Sequence, residues 1–167
     1  MSVVALVAAF LALLLTGLVG GFYLALSISV MTGLAATGAR AAIGSMQRIN
    51  QAIINSVFFG TFMATPLVCA AAAGLLLLIG EQPAAFCFAA AAVIYIAGTF
   101  FPTLVASVPL NETLARSPIP DSEAEAELIW SAYSSRWSLW NYVRAAACFL
   151  SLLMIGLGLL LWRTFPL

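Results

Sequence analysis

Four long apolar runs, separated by polar stretches, set the pattern of this chain. They extend from Val3 to about Ala36, from Ala52 to Ile79, from Ala84 to Val108 and from Leu139 to Trp162. Each meets the roughly 20 residues that a helix needs to cross a hydrocarbon core about 30 Å thick. None alternates apolar and polar residues as a barrel strand does. The pattern predicts an all-α integral membrane protein, a four-helix bundle in up-down order, with residues 1–167 forming one domain. The first run has no basic residues ahead of it and is far longer than the core of a signal peptide, so it is expected to be a retained span. GEQP, from Gly80 to Pro83, is the turn between the second and third runs.

Residues 109–138 form the extended polar connection. Within it, RSPIPDSEAEAE places a helix N-cap at Asp121 or Ser122, with Glu123 and Glu125 in the first turn, where the helix dipole favours acids. That helix is expected to run unbroken into the fourth span as an extension. Trp130, Tyr133, Trp137 and Trp140 follow at spacings of three, four and three, so they share a face. They form either an aromatic belt at the membrane surface or a wall on which a ligand stacks.

Composition sharpens the picture. The chain is 64% hydrophobic and 7% charged, against roughly 25% charged for a soluble domain, so membrane lipid must be its main solvent. The net charge is zero, and nothing suggests a nucleic-acid partner. Histidine is absent, which removes the commonest metal ligand and the usual general base. No metal and no cofactor are expected. GxGxxG, P-loop, HExxH and nucleophile-elbow motifs are all missing, which argues against nucleotide, zinc-protease and serine-hydrolase functions. Cys69, Cys87 and Cys148 lie inside apolar runs and read as small buried hydrophobes. Arg40, Arg48, Arg116 and Arg136 lie in loops 37–51 and 109–138, with Arg144 close by, whereas the opposite side carries Arg163. The positive-inside rule then puts both loops in the cytoplasm and both termini outside.

Three smaller patterns matter for packing and chemistry. Gly17, Gly21, Ala25, Ser29 and Gly33 recur every four residues. Such a stripe lets helices approach closely in lipid, either within the bundle or across a homo-oligomer seam. Pro66 and Pro102 fall inside spans, where each frees a backbone carbonyl. The stretch SMQRINQAIIN spaces Arg48, Gln51 and Asn55 along one helical face at the threshold of the second span. Asn111 and Glu112 end the third span, and Asn141 and Arg144 begin the fourth. Up-down order brings all of them to the same end. The expectation is a polar pocket there, capped by Trp137 and Trp140, because polar groups in membranes are costly and often functional. The bland alternative is that Arg48 snorkels and the amides glue helices together.

SMQRINQAIIN, GTFFPTLVASVPLNETLA and WSAYSSRWSLWNYVR together resemble motifs of the bacterial anthrone-oxygenase-like membrane proteins, over nearly the whole chain. That resemblance implies four membrane helices in a bacterial inner membrane. It also implies a possible oxygenase that converts an anthrone to an anthraquinone with O₂, without metal or flavin. Motif positions fall on Met46, Gln47, Arg48, Ile49, Asn50, Pro109, Leu110, Asn111, Trp137, Trp140, Asn141 and Arg144. On this reading Arg144, Asn141 and Arg48 carry the chemistry, holding the substrate enolate. Asn55, Gln51, Asn111, Trp137, Trp140 and Tyr133 line a site for a hydrophobic aromatic ligand. The chain has Tyr142 where the family often has histidine; Tyr142 or Tyr133 then supplies a hydrogen bond. The alternative is a non-catalytic membrane protein that binds lipid or a hydrophobic ligand, or assembles with other membrane proteins. Transport is disfavoured by the absence of an internal repeat and of an acid near mid-membrane.

Overall fold

The computed structural model describes residues 1–163; residues 164–167 of the expected single domain lie outside the described residues. It is all-helical among those residues. Helix α1 spans Ser2–Ala35, α2 Ala39–Ile53, α3 Ser56–Leu78, α4 Gln82–Arg116 and α5 Glu123–Leu161. All but α2 are long and apolar enough to cross a membrane. The four form a ring, α1 beside α3, α3 beside α4, α4 beside α5 and α5 beside α1. Neighbours run antiparallel: Tyr23 meets Asn141 while Gly20 meets Cys148, and Thr99 meets Cys148 while Ala91 meets Ser151.

Apolar residues surround the long helices because lipid, not water, covers them. The bundle is therefore held by close packing and hydrogen bonds rather than by an amphipathic stripe. Near one end the core is built of small residues, including Ala5, Ala9, Ala12, Ala72 and Ala84 around Phe88. Gly98 and Gly158 admit the tightest approaches. A methyl at Gly98 would come within 2.5 Å of Ala147 Cβ, and one at Gly158 within 2.9 Å of the Phe88 ring. The periodic stripe does not make these contacts. Gly21, Ala25, Ser29 and Gly33 are exposed, so packing within the bundle is not its role.

Pro66 is accommodated within α3. The carbonyl it cannot bond, Phe62 O, accepts the buried hydroxyl of Tyr95 at 3.1 Å. This satisfies on a neighbouring helix what the proline freed. Pro102 in α4 sits between two wide π-helical stretches, Ile96–Phe100 and Thr103–Ser107. A third, Leu26–Val30, lies in α1.

The polar end departs from expectation in two ways. Residues 52–55 do not begin the second span. The helix breaks at Ile54, and Asn55 caps α3 by accepting from Val57 N and Phe58 N at 3.1 and 2.9 Å. Helix α2 is a separate amphipathic element over this end of the bundle, contacting α4 and α5. Its start is set by Gly38, whose φ of 84° suits glycine, and by Glu123 Oε1, which accepts from Ala39 N and Arg40 N. The connection 109–138 is also mostly helical. Residues 117–122 alone separate α4 from α5, which continues from Glu123 into the membrane as expected, with Ser122 at the N-cap position.

Candidate functional site

The break before Asn55 disperses the expected Arg48–Gln51–Asn55 face. Arg48 and Gln51 are exposed, and Asn55 is an exposed cap. The inward face of α2 is instead Ile43, Met46, Gln47 and Asn50. Gln47 Nε2 donates to the carbonyls of Leu114 and Ser117 at 2.8 and 3.0 Å, satisfying the frayed end of α4. Asn50 Nδ2 donates to the Tyr133 hydroxyl at 3.2 Å, which in turn donates to Asn111 Oδ1 at 2.9 Å. The MQRIN stretch thus docks α2 onto α4 and α5 through Gln47 and Asn50. Glu112 points away and pairs with Arg116 at 3.1 Å.

About three helical turns along α5 from Tyr133 lies a second cluster, and it centres on Arg144. Trp130, Tyr133, Trp137, Asn141 and Arg144 all lie on the buried face of α5, and Trp140 is half-buried. The aromatic positions therefore face the bundle interior rather than forming a surface belt. Arg144 is 5% exposed. Its Nη2 donates to Asn141 Oδ1 at 2.8 Å and its Nη1 to Thr103 Oγ1 at 3.4 Å. The guanidinium carbon lies 4.3 Å from the Tyr23 ring centroid and 5.9 Å from that of Trp137. Asn141 is fully buried, and its Nδ2 donates to Tyr23 O at 2.7 Å and to Ser27 Oγ. Thr99 Oγ1 donates to Arg144 O at 3.2 Å, and Thr103 Oγ1 to Thr99 O at 2.7 Å.

Two features set the electrostatics of this cluster. Among the described residues the ion pairs are Arg40–Asp121 and Arg116–Glu112, so Arg144 has no carboxylate partner. Its charge is met by two aromatic faces and by neutral oxygens. The cluster also carries unused donors. Arg144 Nε, Trp137 Nε1 and the Tyr23 hydroxyl are buried and make no hydrogen bond. Asn141 Oδ1, Tyr23 O and Thr99 O are already taken. A buried positive charge ringed by spare donors is complementary to an oxygen anion.

The wide helical turns place this cluster. Leu26–Val30 begins three residues after Tyr23, and the two stretches in α4 carry Thr99, Thr103 and Ser107 at four-residue spacing. Such turns often mark functional sites. Above the cluster, a groove of about 280 Å³ runs between α4 and α5. Leu110, Leu114 and Ile129 line it, with Tyr133 and Arg136 on the α5 side.

The family model described as anthrone oxygenase matches residues 54–154. This chain belongs to the anthrone oxygenase family. No curated protein and no solved structure matches it. The anthrone oxygenase segment includes Thr99, Thr103, Trp137, Asn141 and Arg144; Tyr23 and Ser27 precede it. Tyr142 is 49% exposed and therefore lies off the buried face that carries Asn141 and Arg144.

Of the residues expected to form one pocket, the structure joins Trp137, Asn141 and Arg144 in the deeper cluster and Tyr133 with Asn111 in the upper one. Arg48, Gln51, Asn55 and Tyr142 join neither. Sequence reasoning missed Tyr23, Ser27, Thr99 and Thr103. A usable signal was present in α4, where Thr99, Thr103 and Ser107 form a hydroxyl stripe across Pro102.

Proposed function

We propose that this protein is a cofactor-independent oxygenase of an acidic aromatic ketone, and that Arg144 holds the enolate of that substrate. The observation that carries this reading is the buried arginine without a carboxylate, among donors that lack acceptors. Membership of the anthrone oxygenase family supports it. The overall change is anthrone plus O₂ to anthraquinone plus water. The methylene between the rings loses a proton to water, and its electron pair spreads to the carbonyl oxygen. Arg144 stabilises that oxyanion, held in place by Asn141 and Thr103 and packed against the rings of Tyr23 and Trp137. O₂ then forms a C–O bond at the electron-rich carbon, the resulting peroxide anion takes a proton back from water, and the hydroperoxide loses water to leave the quinone. Electrostatic stabilisation of this kind is often the largest single contribution to catalysis. The arginine distribution supports placing the α2 end at the cytoplasmic face of a bacterial cell membrane.

A second reading, non-catalytic binding of a hydrophobic ligand or lipid, draws on the groove between α4 and α5, where apolar side chains lie beside Arg136. One experiment separates the two. The protein purified in mild detergent is supplied with anthrone and O₂, quinone formation is followed by absorbance, and bound small molecules are identified by mass spectrometry. Oxygenase function requires turnover by wild type and loss of at least about 10²-fold in Arg144→Ala, the usual cost of removing an oxyanion donor, in a variant that stays folded. Equal turnover in Arg144→Ala refutes the assignment. No turnover together with copurifying lipid favours the second reading.

A further inference from the structure

We propose that Tyr23 is a catalytic residue of this site, donating a hydrogen bond from its hydroxyl to the same substrate oxyanion that Arg144 holds. This rests on the oxygenase reading above. Tyr23 lies on α1, ahead of the segment that matches the family model.

The geometry gives Tyr23 two separable tasks. Its ring lies against the Arg144 guanidinium at 4.3 Å, a cation–π contact that helps to hold the charge where no carboxylate does. Its hydroxyl is buried within the same group of side chains and has no acceptor. A buried hydroxyl left unsatisfied costs about 1–3 kcal/mol, so its retention calls for a partner that arrives. An incoming oxygen anion would be such a partner: the side chains beside the hydroxyl are Thr103, whose Oγ1 already accepts from Arg144 Nη1 at 3.4 Å, and the Arg144 guanidinium itself, which only donates.

Tyr23 is also firmly positioned. It is 2% exposed. Its carbonyl accepts from both Asn141 Nδ2, at 2.7 Å, and Ser27 Oγ, at 3.1 Å. Its ring packs on Phe22 and edge-on to Phe58. The wide turn Leu26–Val30 begins three residues later, so Ser27 reaches back to Tyr23 O while also receiving Asn141. A donor fixed this way costs no reorganisation when the oxyanion forms, which is the condition for a catalytic hydrogen bond.

Tyr23→Phe tests the hydroxyl alone, since it keeps the ring on Arg144. Two measurements are made on wild type, Tyr23→Phe and Arg144→Ala. The first is anthrone turnover. The second is binding of a monohydroxyanthraquinone, a probe already at the oxidation level of the product, whose phenol changes colour on ionising. The expected result is a fall of at least tenfold in kcat for Tyr23→Phe, with KM changed much less. The bound probe should also ionise at a pH higher by about half a unit or more than in wild type, a shift that a merely structural ring would not cause. Thermal stability of the variant should match wild type. If Arg144→Ala loses turnover while Tyr23→Phe equals wild type in kcat and in probe ionisation, the oxygenase reading stands and the Tyr23 proposal is overturned. If wild type neither turns over anthrone nor binds the probe, both are overturned.

Discussion

Asn141→Leu keeps the branching and heavy-atom number of the side chain but removes the three hydrogen bonds that Asn141 makes in the bundle interior. Two are neutral, to Tyr23 O and Ser27 Oγ, and one is the acceptor for Arg144 Nη2 at 2.8 Å. Measured side-chain hydrogen bonds within membrane proteins average about 0.6 kcal/mol, with an upper range near 1.7. The two neutral bonds then contribute about 1–3 kcal/mol. The bond from Arg144 counts for more, because its loss leaves part of a buried charge unsolvated, and charged hydrogen bonds are worth about 1.5–3 kcal/mol. The sum is about 2.5–6 kcal/mol. The assay is reversible unfolding of the purified protein in mixed micelles of mild detergent and SDS, followed by tryptophan fluorescence. Trp137 is buried against Arg144 and reports on the network. Asn141→Asp is the companion variant. It keeps the volume and gives Arg144 a carboxylate, but loses the donor to Tyr23 O. It should unfold closer to wild type than Asn141→Leu does, and should bind an anionic ligand more weakly because the charge is already neutralised. A loss below about 1 kcal/mol for Asn141→Leu, which is within the range of a single exposed contact, would refute the claim that Asn141 and Arg144 form a buried, mutually dependent pair.

Two further outcomes test the packing and the orientation. Gly98→Ala should destabilise the bundle by about 1–3 kcal/mol, the usual cost of overpacking, because its methyl would meet Ala147 Cβ on a rigid neighbouring helix; Gly21→Ala, which has open space around it, should be neutral in the same unfolding assay. A cysteine introduced at exposed Ser45 on α2 should react with a membrane-impermeant maleimide in inverted vesicles and not in intact cells, and the reverse pattern would turn the proposed orientation over.

The spans were legible because membrane crossing is a local property. Length and apolarity mark a helix whatever it packs against, so the four helices fall within a few residues of expectation at most boundaries. The upper boundary of α3 was not legible. Ala52 to Asn55 is apolar enough to extend a span, and the break depends on Asn55 capping α3 while Glu123, 84 residues away along the chain from Ala39, caps the start of α2. As a guide to packing within the bundle, the small-residue stripe failed for a related reason. A stripe shows that one face of α1 is smooth, but the closest approaches in the bundle use Gly98 and Gly158 on other helices. The site was legible in part. Asn141 and Arg144 stood out as polar residues inside an apolar helix. Tyr23 did not, because a tyrosine in a membrane span reads as a belt residue until its neighbour is known to be a buried cation.

The same comparison explains why the cluster is better matched to a transient anion than to a structural ion pair. A helix bundle that needed only stability could supply a carboxylate to Arg144 or replace both groups with apolar side chains, and the latter is often the more stable solution. This chain does neither. It has acids within reach of α2, at Asp121 and Glu123, and spends them on Arg40 and on the start of that helix. Opposite the Arg144 guanidinium it places an amide, the Thr103 hydroxyl and two aromatic rings. Each of these fixes the guanidinium in position, and none neutralises it. The net effect is a full positive charge held in a low-dielectric interior, where its pull on a developing oxyanion is several times stronger than it would be in water. An arginine kept only to snorkel would have gained nothing from such enclosure, since it lowers its energy by reaching the headgroups.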